Sequence, residues 1–386
     1  MTIATVELAR DSAATAVRAE ALKASIVRDD VAALREWKLL DLRLHNESLT
    51  CSWDWVDTWI KHFCHLPHEY FVVRDAGQIV GMALLVHGAH RVGPFVDRRI
   101  HFGTAGEADG DTVCVEYNRP LVAAEHFEGF FALLFQHLDR LAGWDTLRFN
   151  GLDGLQVPPL LALKPGAIIR RVPSHYFDLK ETRDAGQDVR ARLGSSSKQS
   201  LKLNLKLFPD ARIEWSETVE QAEEIFEDLI QLHQQRWTSA GLPGCFSSQR
   251  FTEFHRELLR RWQPQGKLVL TRVRSGEQLL GCVQIFVERN RLFFYQCGSA
   301  RVGSKGSPGL LTDCLTIQQG LERGYDAYEF LAGDTVHKRK LSTHANEMVW
   351  LAWRRPRWKF RAMNALKSLK SWLRPELKPQ PVPTEN

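Results

Sequence analysis

Residues 324–330 read Gly-Tyr-Asp-Ala-Tyr-Glu-Phe, and residues 143–149 read Gly-Trp-Asp-Thr-Leu-Arg-Phe. Both stretches have the composition of strands, and each follows a segment whose apolar residues have helical spacing, 125–142 in one case and 308–323 in the other. A helix that leads through a glycine into a strand is one half of an α/β unit. The match between the two stretches therefore suggests that such a unit occurs twice.

A hairpin pattern precedes each helix–strand pair. Residues 71–86 and 268–287 each hold two β-rich runs around a glycine turn, and Gly81 and Gly281 occupy corresponding places in the second runs. Because hairpin, helix and strand return in the same order, we predict duplication of one unit and a mixed α/β (α+β) sheet with helices packed on it. The predicted segments are a lead-in at 1–34, a first unit at 35–175, a second unit at 176–353 and a tail at 354–386.

Composition limits the classes of protein that the chain can belong to. Its 386 residues are enough for two domains, and a net charge of +5 is too small for this length to indicate a DNA-binding protein. Seven cysteines without regular spacing indicate a reducing compartment. The first residues lack a secretory pattern and no apolar run approaches ~20 residues, so we expect a cytoplasmic protein without a membrane-spanning helix.

Two further features accompany the repeat. Leu-His-Gln-Gln-Arg-Trp stands at 232–237, ahead of the second hairpin, and a strand–Gly–Asp–basic junction stands at 325–340. With the repeat, they resemble the CelD-like (cellulose/exopolysaccharide biosynthesis) acyltransferase family of the GNAT superfamily, and the double-domain layout is similar to that of the Fem aminoacyltransferases. The resemblance covers about residues 35–353. It implies two tandem GNAT-like units and acyl-CoA as a co-substrate.

The junction matches the family pattern in part. Family members commonly show an aromatic-Asp-Phe-Leu run, a Gly-Asp pair, and then an aromatic residue before Lys-Arg. The pairs Gly333-Asp334 and Lys338-Arg339 match, whereas Glu329 replaces the aspartate and His337 replaces the aromatic residue. The junction is therefore the candidate catalytic segment.

Acyl transfer from a thioester to an amine needs a base and a group that stabilises the oxyanion. We predict Lys338 as the electrostatic stabiliser and His337 or Glu329 as the base. Glu329 is either a base that faces the cleft or an edge-strand charge that faces solvent. Asp334 is most simply a helix cap, and the alternative for the cations at 338–340 is a solvated basic turn.

A glycine-rich loop before the second unit's helix is the candidate site for the donor's phosphates. Ser307 is a plausible N-cap, Pro308 suits the first helical position, and free amides at a helix N-terminus suit an anion. The usual GNAT pattern, Gln/Arg-x-x-Gly-x-Gly/Ala, is absent, and a plain surface loop is the alternative. The candidate cofactor-binding residues are Arg301, Gly303, Lys305, Gly306, Ser307 and Gly309.

The first unit has no basic helix after its repeated strand, so we expect it to have kept the scaffold and lost the donor site. Lys198, Lys202 and Lys206 lie one helical turn apart and form either a solvated face or an anion contact. No metal site is expected. Four potential ligands lie close together in the sequence, but they lack the paired spacing of a metal-binding motif; they are His62, Cys64, His65 and His68.

The tail from 354 to 374 holds eight Lys or Arg and no acidic residue, and Trp358 lies on an apolar helical stripe. This pattern fits a helix on an anionic membrane surface and equally a terminal helix packed on its own unit. The first alternative would place the protein peripherally at the inner membrane face. Beyond it, residues 375–386 are proline-rich and expected to be disordered.

The predicted activity is transfer of an acyl group from acyl-CoA to an amine or hydroxyl, on a small molecule or a glycan precursor. The resemblance implies a setting in cell-envelope or exopolysaccharide synthesis, with that machinery as a partner. Two alternatives stay open: a Fem-like transferase that uses aminoacyl-tRNA, and a non-catalytic binding module on a degenerate GNAT fold.

Overall fold

The computed structural model describes residues 22–46, 48–301 and 306–363. These residues form two compact units. Both units combine strands and helices around a mixed sheet, which confirms the predicted α/β class. The N-terminal unit takes its described residues from Met1–Gly106, Tyr117–Arg170 and Val349–Leu377, and the C-terminal unit takes its own from Glu107–Glu116 and Arg171–Met348.

The regular elements are numbered along the chain. The first ten are β1 (Leu22–Val27), α1 (Asp30–Arg43), α2 (Trp53–Phe63), β2 (His68–Asp75), β3 (Gln78–Val92), β4 (Phe95–Phe102), β5 (Leu121–Val122), α3 (Phe127–Arg140), β6 (Thr146–Asp153) and α4 (Val157–Leu163). The others are β7 (Ile168–Asp178), α5 (Leu179–Asp184), α6 (Val189–Arg192), α7 (Ser195–Leu207), β8 (Ala211–Trp215), α8 (Val219–Ser239), α9 (Gln249–Trp262), β9 (Leu268–Ser275), β10 (Gln278–Glu288), β11 (Arg291–Ser299), α10 (Pro308–Glu322), β12 (Ala327–Ala332), α11 (Val336–Leu341) and β13 (His344–Arg354).

Strand order is the same in the two units. The N-terminal unit has the order β1-β2-β3-β4-β6-β13, and the C-terminal unit has β8-β9-β10-β11-β12-β7. In each unit the last strand of a three-stranded meander pairs in parallel with the strand after the helix, β4 with β6 and β11 with β12. The repeat seen in the sequence is therefore a repeat of topology.

The two hairpins also share a β-bulge at the same position. Val80 is the extra residue beside Gly81 in β3, and Leu280 is the extra residue beside Gly281 in β10. A bulge adds one residue to one strand and increases the local twist. The same irregularity at the same place confirms that the two glycines correspond.

Each of these glycines lies against the helix of its unit. A Cβ at Gly81 would approach the Phe130 ring of α3 to 2.6 Å, and a Cβ at Gly281 would approach the Thr312 hydroxyl of α10 to 2.4 Å. Both distances are shorter than van der Waals contact. The sheet and the helix can therefore pack this closely only where the strand lacks a side chain.

Each unit has its own apolar core. In the N-terminal unit, residues of α3 pack on one face of the sheet, while Trp55 and Trp59 of α2 are also buried. In the C-terminal unit α10 packs on the sheet with Tyr328 and Phe330 of β12 in the core. These cores fix the strands whose ends carry the candidate site.

The observed division differs from the predicted boundaries. The lead-in at 1–34 contributes β1 and the start of α1, and the units separate between residues 170 and 171 rather than between 175 and 176. Residues 349–354 belong to the N-terminal unit, because β13 continues beside β6. Residues 107–116 belong to the C-terminal unit, where the Tyr295 hydroxyl donates to the Val113 carbonyl at 2.7 Å.

The described start of the tail packs on the N-terminal unit. Residues 358–363 are helical, Phe360 and Met363 are buried, and the Lys359 ammonium donates to the Val96 carbonyl at 2.6 Å. The rest of the tail, from residue 364, lies outside the described residues, so the membrane alternative stays a prediction. Within the described ranges, no helix has the length and apolar character needed to span a bilayer.

The buried histidine of α9 gives the C-terminal unit a predictable response to acid. The His255 ring is fully enclosed, with ring centroids of Phe251 at 4.3 Å and Tyr295 at 4.8 Å, and burial lowers the pKa of His255 to about 3. The unfolded chain, with a histidine pKa near 6.5, takes up this proton first. Stability should therefore fall as the pH drops from about 6.5 towards 3.

We expect His255→Phe to reduce this acid sensitivity. Between pH 6.5 and 5, the loss of unfolding free energy in urea titrations should be smaller than in the unmodified chain by about 2 kcal/mol. The control is His90→Phe, because His90 is exposed on β3. Equal acid sensitivity of the unmodified chain and His255→Phe would contradict the prediction.

Candidate functional site

A cleft of about 510 Å³ opens in the C-terminal unit where the sheet meets the start of α10. Its walls come from the middle of β10, the end of β11, the first turns of α10 with the residues that lead into it, and one residue each from α8 and α11. Its polar and glycine lining includes Arg236, Gly298, Arg301, Gly306, Ser307, Gly309, Thr312, Asp313 and His337.

β11, which lines the cleft, stops pairing with its parallel neighbour β12 partway along its length. β11 pairs with β12 over Arg291–Phe293 and then continues to Ser299 beside β10. β12 bends instead, with an irregular register towards β7 and a positive φ of 60° at Leu331. A gap at the carboxyl ends of neighbouring strands, next to a helix N-terminus, is where open α/β sheets usually bind ligands.

The start of α10 forms as the sequence predicts. Ser307 is the N-cap residue and Pro308 is the first helical residue, although the Ser307 side chain makes no cap hydrogen bond. The Ser307 backbone N–H donates to Asn204 Oδ1 of α7 at 2.7 Å, and Asn204 is buried. This contact fixes the helix start and leaves the following turn at the cleft.

Four of the six candidate cofactor-binding residues line the cleft: Arg301, Gly306, Ser307 and Gly309. The other two, Gly303 and Lys305, lie outside the described residues. The structure thus brings the described part of the predicted phosphate loop to the cleft wall. Its role in binding phosphate stays a prediction.

A histidine–aspartate pair projects from two helices into this cleft. His337 Nε2 of α11 lies 2.5 Å from Asp313 Oδ2 of α10. The Asp313 side chain is buried and the His337 side chain is 19% exposed, by way of the cleft it lines. A neutral imidazole that donates from Nε2 keeps a lone pair on Nδ1, so this arrangement can accept a proton from a bound nucleophile.

Lys338 lies apart from the cleft lining. Its ammonium is buried and donates to the carbonyls of Ala332 at 2.7 Å and Leu331 at 3.3 Å. Gly333, at φ 132°, allows this approach, since a Cβ there would lie 3.2 Å from the ammonium. The geometry gives Lys338 a structural contact at the bent end of β12, and the predicted oxyanion role has no support from its position.

Glu329 requires a correction, because it is neither at the cleft nor in solvent. The side chain is 1% exposed and forms an ion pair with Arg291. Asn346 Nδ2 also donates to its Oε1 at 3.4 Å. β12 lies between β11 and β7 rather than at a sheet edge, and this position encloses the carboxylate.

Asp334 also differs from the prediction. The N-cap of α11 is Thr335, whose hydroxyl accepts from the Lys338 backbone N–H. The Asp334 carboxylate is half exposed and binds Arg339 at 2.7 Å and His175 at 3.1 Å. The hydrogen bond from Arg339, and then that from His175, lower the pKa of Asp334.

Sequence reasoning missed three residues of the cleft. Asp313 is a buried acid on the otherwise apolar face of α10, which was a usable signal. Thr312 Oγ1 is buried at the cleft and has no hydrogen-bond partner among the described residues. Arg236 lies in the 232–237 motif and adds a second cation to the lining beside Arg301.

Among the described residues of the N-terminal unit, no histidine–aspartate pair stands at the positions that correspond to His337 and Asp313. When Gly143 is aligned with Gly324 without gaps, Ala132 corresponds to Asp313 and Gln156 corresponds to His337. Neither residue can form the same ion pair. The expected loss of the donor site from the first unit stays a prediction.

The other predicted constellations have mostly structural contacts. His68, from the predicted histidine–cysteine group, lies 2.9 Å from Asp30 Oδ1. Lys202 and Lys206, from the predicted lysine stripe, are exposed on α7.

Among the described residues, one group offers three possible metal ligands within 4.8 Å of one another: Asp178, Glu181 and His344. These residues lie outside the cleft lining, and Asp178 is already the N-cap of α5.

Comparison with known families gives one match. Residues 195–339 match the family described as acetyltransferase (GNAT) domain. The match contains β9 to β12, α10, the cleft lining and His337. No curated protein matches the chain.

Solved structures extend the similarity to both units. FemX is 11% identical with a TM-score of 0.51, and covers 84% of this chain and 96% of its own. A C-terminal domain from Agrobacterium fabrum, described as putative lysylphosphatidylglycerol synthetase, is 13% identical with a TM-score of 0.53, and covers 88% of this chain and 96% of its own. At such identities the likeness concerns the fold. Residues 195–339 are therefore similar to the acetyltransferase (GNAT) domain, and the fold of the chain consists of two GNAT-like units.

Proposed function

We propose that the protein is an acyltransferase that moves an acyl group from acyl-CoA to an amine or hydroxyl in the cleft of the C-terminal unit. The observation that carries this proposal is the His337–Asp313 pair at 2.5 Å, placed in a cleft beside the start of α10. The GNAT match of residues 195–339 supports the acyl-transfer chemistry.

The cleft residues fit an acyl-CoA. Arg236 and Arg301 can pair with phosphates, Gly306 and Gly309 allow close approach to the backbone, and the unpartnered Thr312 hydroxyl offers one more hydrogen bond. A bound acyl-CoA would supply the activated thioester. His337 lines the same cleft.

The chain's own groups then manage the proton. As the acceptor's nitrogen or oxygen attacks the thioester carbonyl, a C–N or C–O bond forms, the C–S bond breaks, and His337 Nδ1 takes the proton of the nucleophile. Asp313 holds the ring through Nε2 and stabilises the imidazolium that results. That proton can subsequently pass to the thiolate, which leaves as the free thiol.

A direct test is calorimetric titration of the full chain with coenzyme A and acetyl-CoA. We expect binding, and we expect Arg301→Gln to weaken it about tenfold or more, since a hydrogen bond to a charged group is worth roughly 1.5–3 kcal/mol. The matched control is Arg212→Gln, because Arg212 is exposed on β8 and does not line the cleft. No binding, or equal weakening by both variants, would contradict the proposal.

The acceptor can be sought by mass spectrometry after incubation with acetyl-CoA and a panel of amines, sugars and glycan precursors. We propose a cell-envelope or exopolysaccharide precursor, because the CelD-like resemblance implies that setting. A membrane contact through residues 354–374 and a place in envelope assembly are part of this proposal. Acylation of none of these classes would contradict it.

A second candidate donor is an aminoacyl-tRNA. It is favoured by the description of one structural neighbour as a lysylphosphatidylglycerol synthetase, whose fold is similar to this chain at a TM-score of 0.53. Filter retention of charged tRNA without coenzyme A binding would support this candidate over the first. Failure of both, with a stable folded chain, would leave the non-catalytic binding module.

A further inference from the structure

The N-terminal unit has a second cavity, of about 200 Å³, on the sheet face opposite its apolar core. Side chains alternate across a strand, so the residues beside the core positions Ile100, Leu147 and Leu351 point to this other face. There β4, β6, β7 and β13 present a polar surface. Its lining comprises Asp97, Arg99, Thr146, Arg148, Asn150, Ile168, Arg170, Trp350, Leu351, Ala352 and Arg354.

Four of these side chains are arginines, and one is an acid. That acid, Asp97, is buried, and both of its oxygens are already used: Arg99 Nε donates to Oδ2 at 2.8 Å and the Thr146 hydroxyl donates to Oδ1 at 2.7 Å. One carboxylate against four guanidinium groups leaves the cavity with a formal charge of +3, from four positive charges and one negative. Such an excess attracts anions.

Two of the arginines are held by aromatic rings, which leave their N–H groups available. The Arg170 guanidinium lies 4.1 Å from the Trp350 ring centroid, and the Arg354 guanidinium lies 5.1 Å from the Phe360 ring centroid. A stacked guanidinium keeps its donors in the ring plane free for another acceptor. Packing therefore orients these two cations without neutralising them.

Arg148 is the most unusual of the four. It is half-buried at the centre of the group and has no hydrogen bond or ion pair with any described residue. Burial, and then the charges of Arg99, Arg170 and Arg354, lower the pKa of Arg148, although Asp97 opposes this. A partly buried guanidinium without a hydrogen-bond or ion-pair partner lowers the stability of the folded chain unless an anion binds it.

The neighbouring histidine is subject to the same positive field. His101 follows Arg99 on the same face of β4 and is buried. Burial, and then the charges of Arg148 and Arg99, lower the pKa of His101 to about 4. The arginine charges therefore act on the strand face beyond the cavity, although Asp97 opposes them.

We propose that this arginine cavity is a binding site for the phosphate or diphosphate group of a phosphorylated small molecule. Planar guanidinium groups form bidentate hydrogen bonds with phosphate oxygens, and several of them can share one multiply charged anion. Complete small-molecule sites usually span ~300–1,000 Å³. The smaller volume here suits the charged terminal group of a ligand whose remainder lies outside.

This proposal is independent of the acyl-transfer proposal, because its residues belong to the N-terminal unit. The structure assigns the chemistry of the bound group rather than the identity of the whole ligand. A phosphate ester, a diphosphate ester and free inorganic phosphate or pyrophosphate share that chemistry, and they can be distinguished in titration.

The experiment is calorimetric titration of the full chain with sodium pyrophosphate, inorganic phosphate, glucose 1-phosphate and citrate at low ionic strength. We expect pyrophosphate to bind, and Arg148→Gln and Arg354→Gln each to weaken that binding at least tenfold. Tighter binding of glucose 1-phosphate than of inorganic phosphate would identify an ester as the source. Citrate that binds as tightly as pyrophosphate would overturn the assignment to phosphate.

Two control variants separate binding in this cavity from binding elsewhere on the chain. Arg98→Gln removes the same charge from the same strand, but Arg98 is exposed on the opposite face and does not line the cavity. Arg301→Gln tests whether pyrophosphate binds in the cleft of the C-terminal unit instead. The proposal fails if Arg98→Gln weakens binding as much as Arg148→Gln does, or if only Arg301→Gln weakens it.

A thermal measurement gives a second, independent readout. Without ligand, Arg148→Met should raise the Tm of the chain, since it removes a partly buried and unpaired charge. Pyrophosphate should raise the Tm of the unmodified chain, and it should raise the Tm of Arg148→Met only slightly. A lower Tm for ligand-free Arg148→Met would mean that Arg148 stabilises the unit, and would overturn the proposal.

Discussion

His337→Gln is expected to slow acyl transfer about 10²- to 10⁴-fold, the usual contribution of a positioned general base. Glutamine keeps a polar side chain of similar reach in the cleft but cannot take up a proton at neutral pH. Coenzyme A affinity should be unchanged, because His337 is assigned to the proton and not to the phosphates. The measurement is release of free thiol from acetyl-CoA with the best acceptor from the panel, beside a coenzyme A titration.

Two further variants sharpen this test. Asp313→Asn should also slow transfer, since an amide no longer stabilises the imidazolium. The matched control is His175→Gln, because His175 also binds an aspartate, at 3.1 Å from Asp334, yet does not line the cleft. Equal slowing by His175→Gln and His337→Gln would show that the loss is structural and would remove His337 from the mechanism.

Among glycine-to-alanine substitutions in the C-terminal unit, Gly298→Ala is expected to cause the largest loss of stability. A Cβ at this position of β11 would lie 2.9 Å from both the His233 nitrogen and the Leu229 carbonyl oxygen of α8. These are backbone atoms, which cannot rotate away, so the strand and the helix must separate. Overpacking of this kind costs about 1–3 kcal/mol and sometimes more.

The measurement is urea unfolding of the variant, with coenzyme A binding as a second readout. Binding should weaken as well, because Gly298 lines the cleft. Gly88→Ala is the matched control in a strand, where the added Cβ would lie 3.7 Å from the His101 ring, an ordinary contact. An unfolding midpoint for Gly298→Ala equal to that of the control would contradict the close packing of β11 on α8.

The sequence predicted the fold well because repetition and periodicity are local signals. The hairpins, the helix at 308–322 and the mixed sheet all follow from alternation, glycine turns and caps. The boundaries could not be predicted in the same way. β13 contributes to both units, and residues 107–116 join the C-terminal unit through contacts such as Tyr295 with Val113, which leave no mark in the local pattern.

The site was predicted only in part, because a sequence pattern locates a segment but does not show which way its side chains point. His337 and four residues of the loop do line the cleft. Lys338 and Glu329 are instead enclosed by the bend and by the interior position of β12. Asp313 was missed because a tertiary contact, and not sequence spacing, places it against His337.

The bulge beside Gly81 and Gly281 makes each half of the chain an internal reference for the other. Among the described residues both halves have the bulge, whereas the acid–imidazole pair lies in the C-terminal half and its ungapped counterparts are Ala132 and Gln156. The bulge therefore occurs without the pair, beside a glycine that lets the helix approach the sheet. A substitution at Gly81 can thus report on this packing without changing any residue of the cleft.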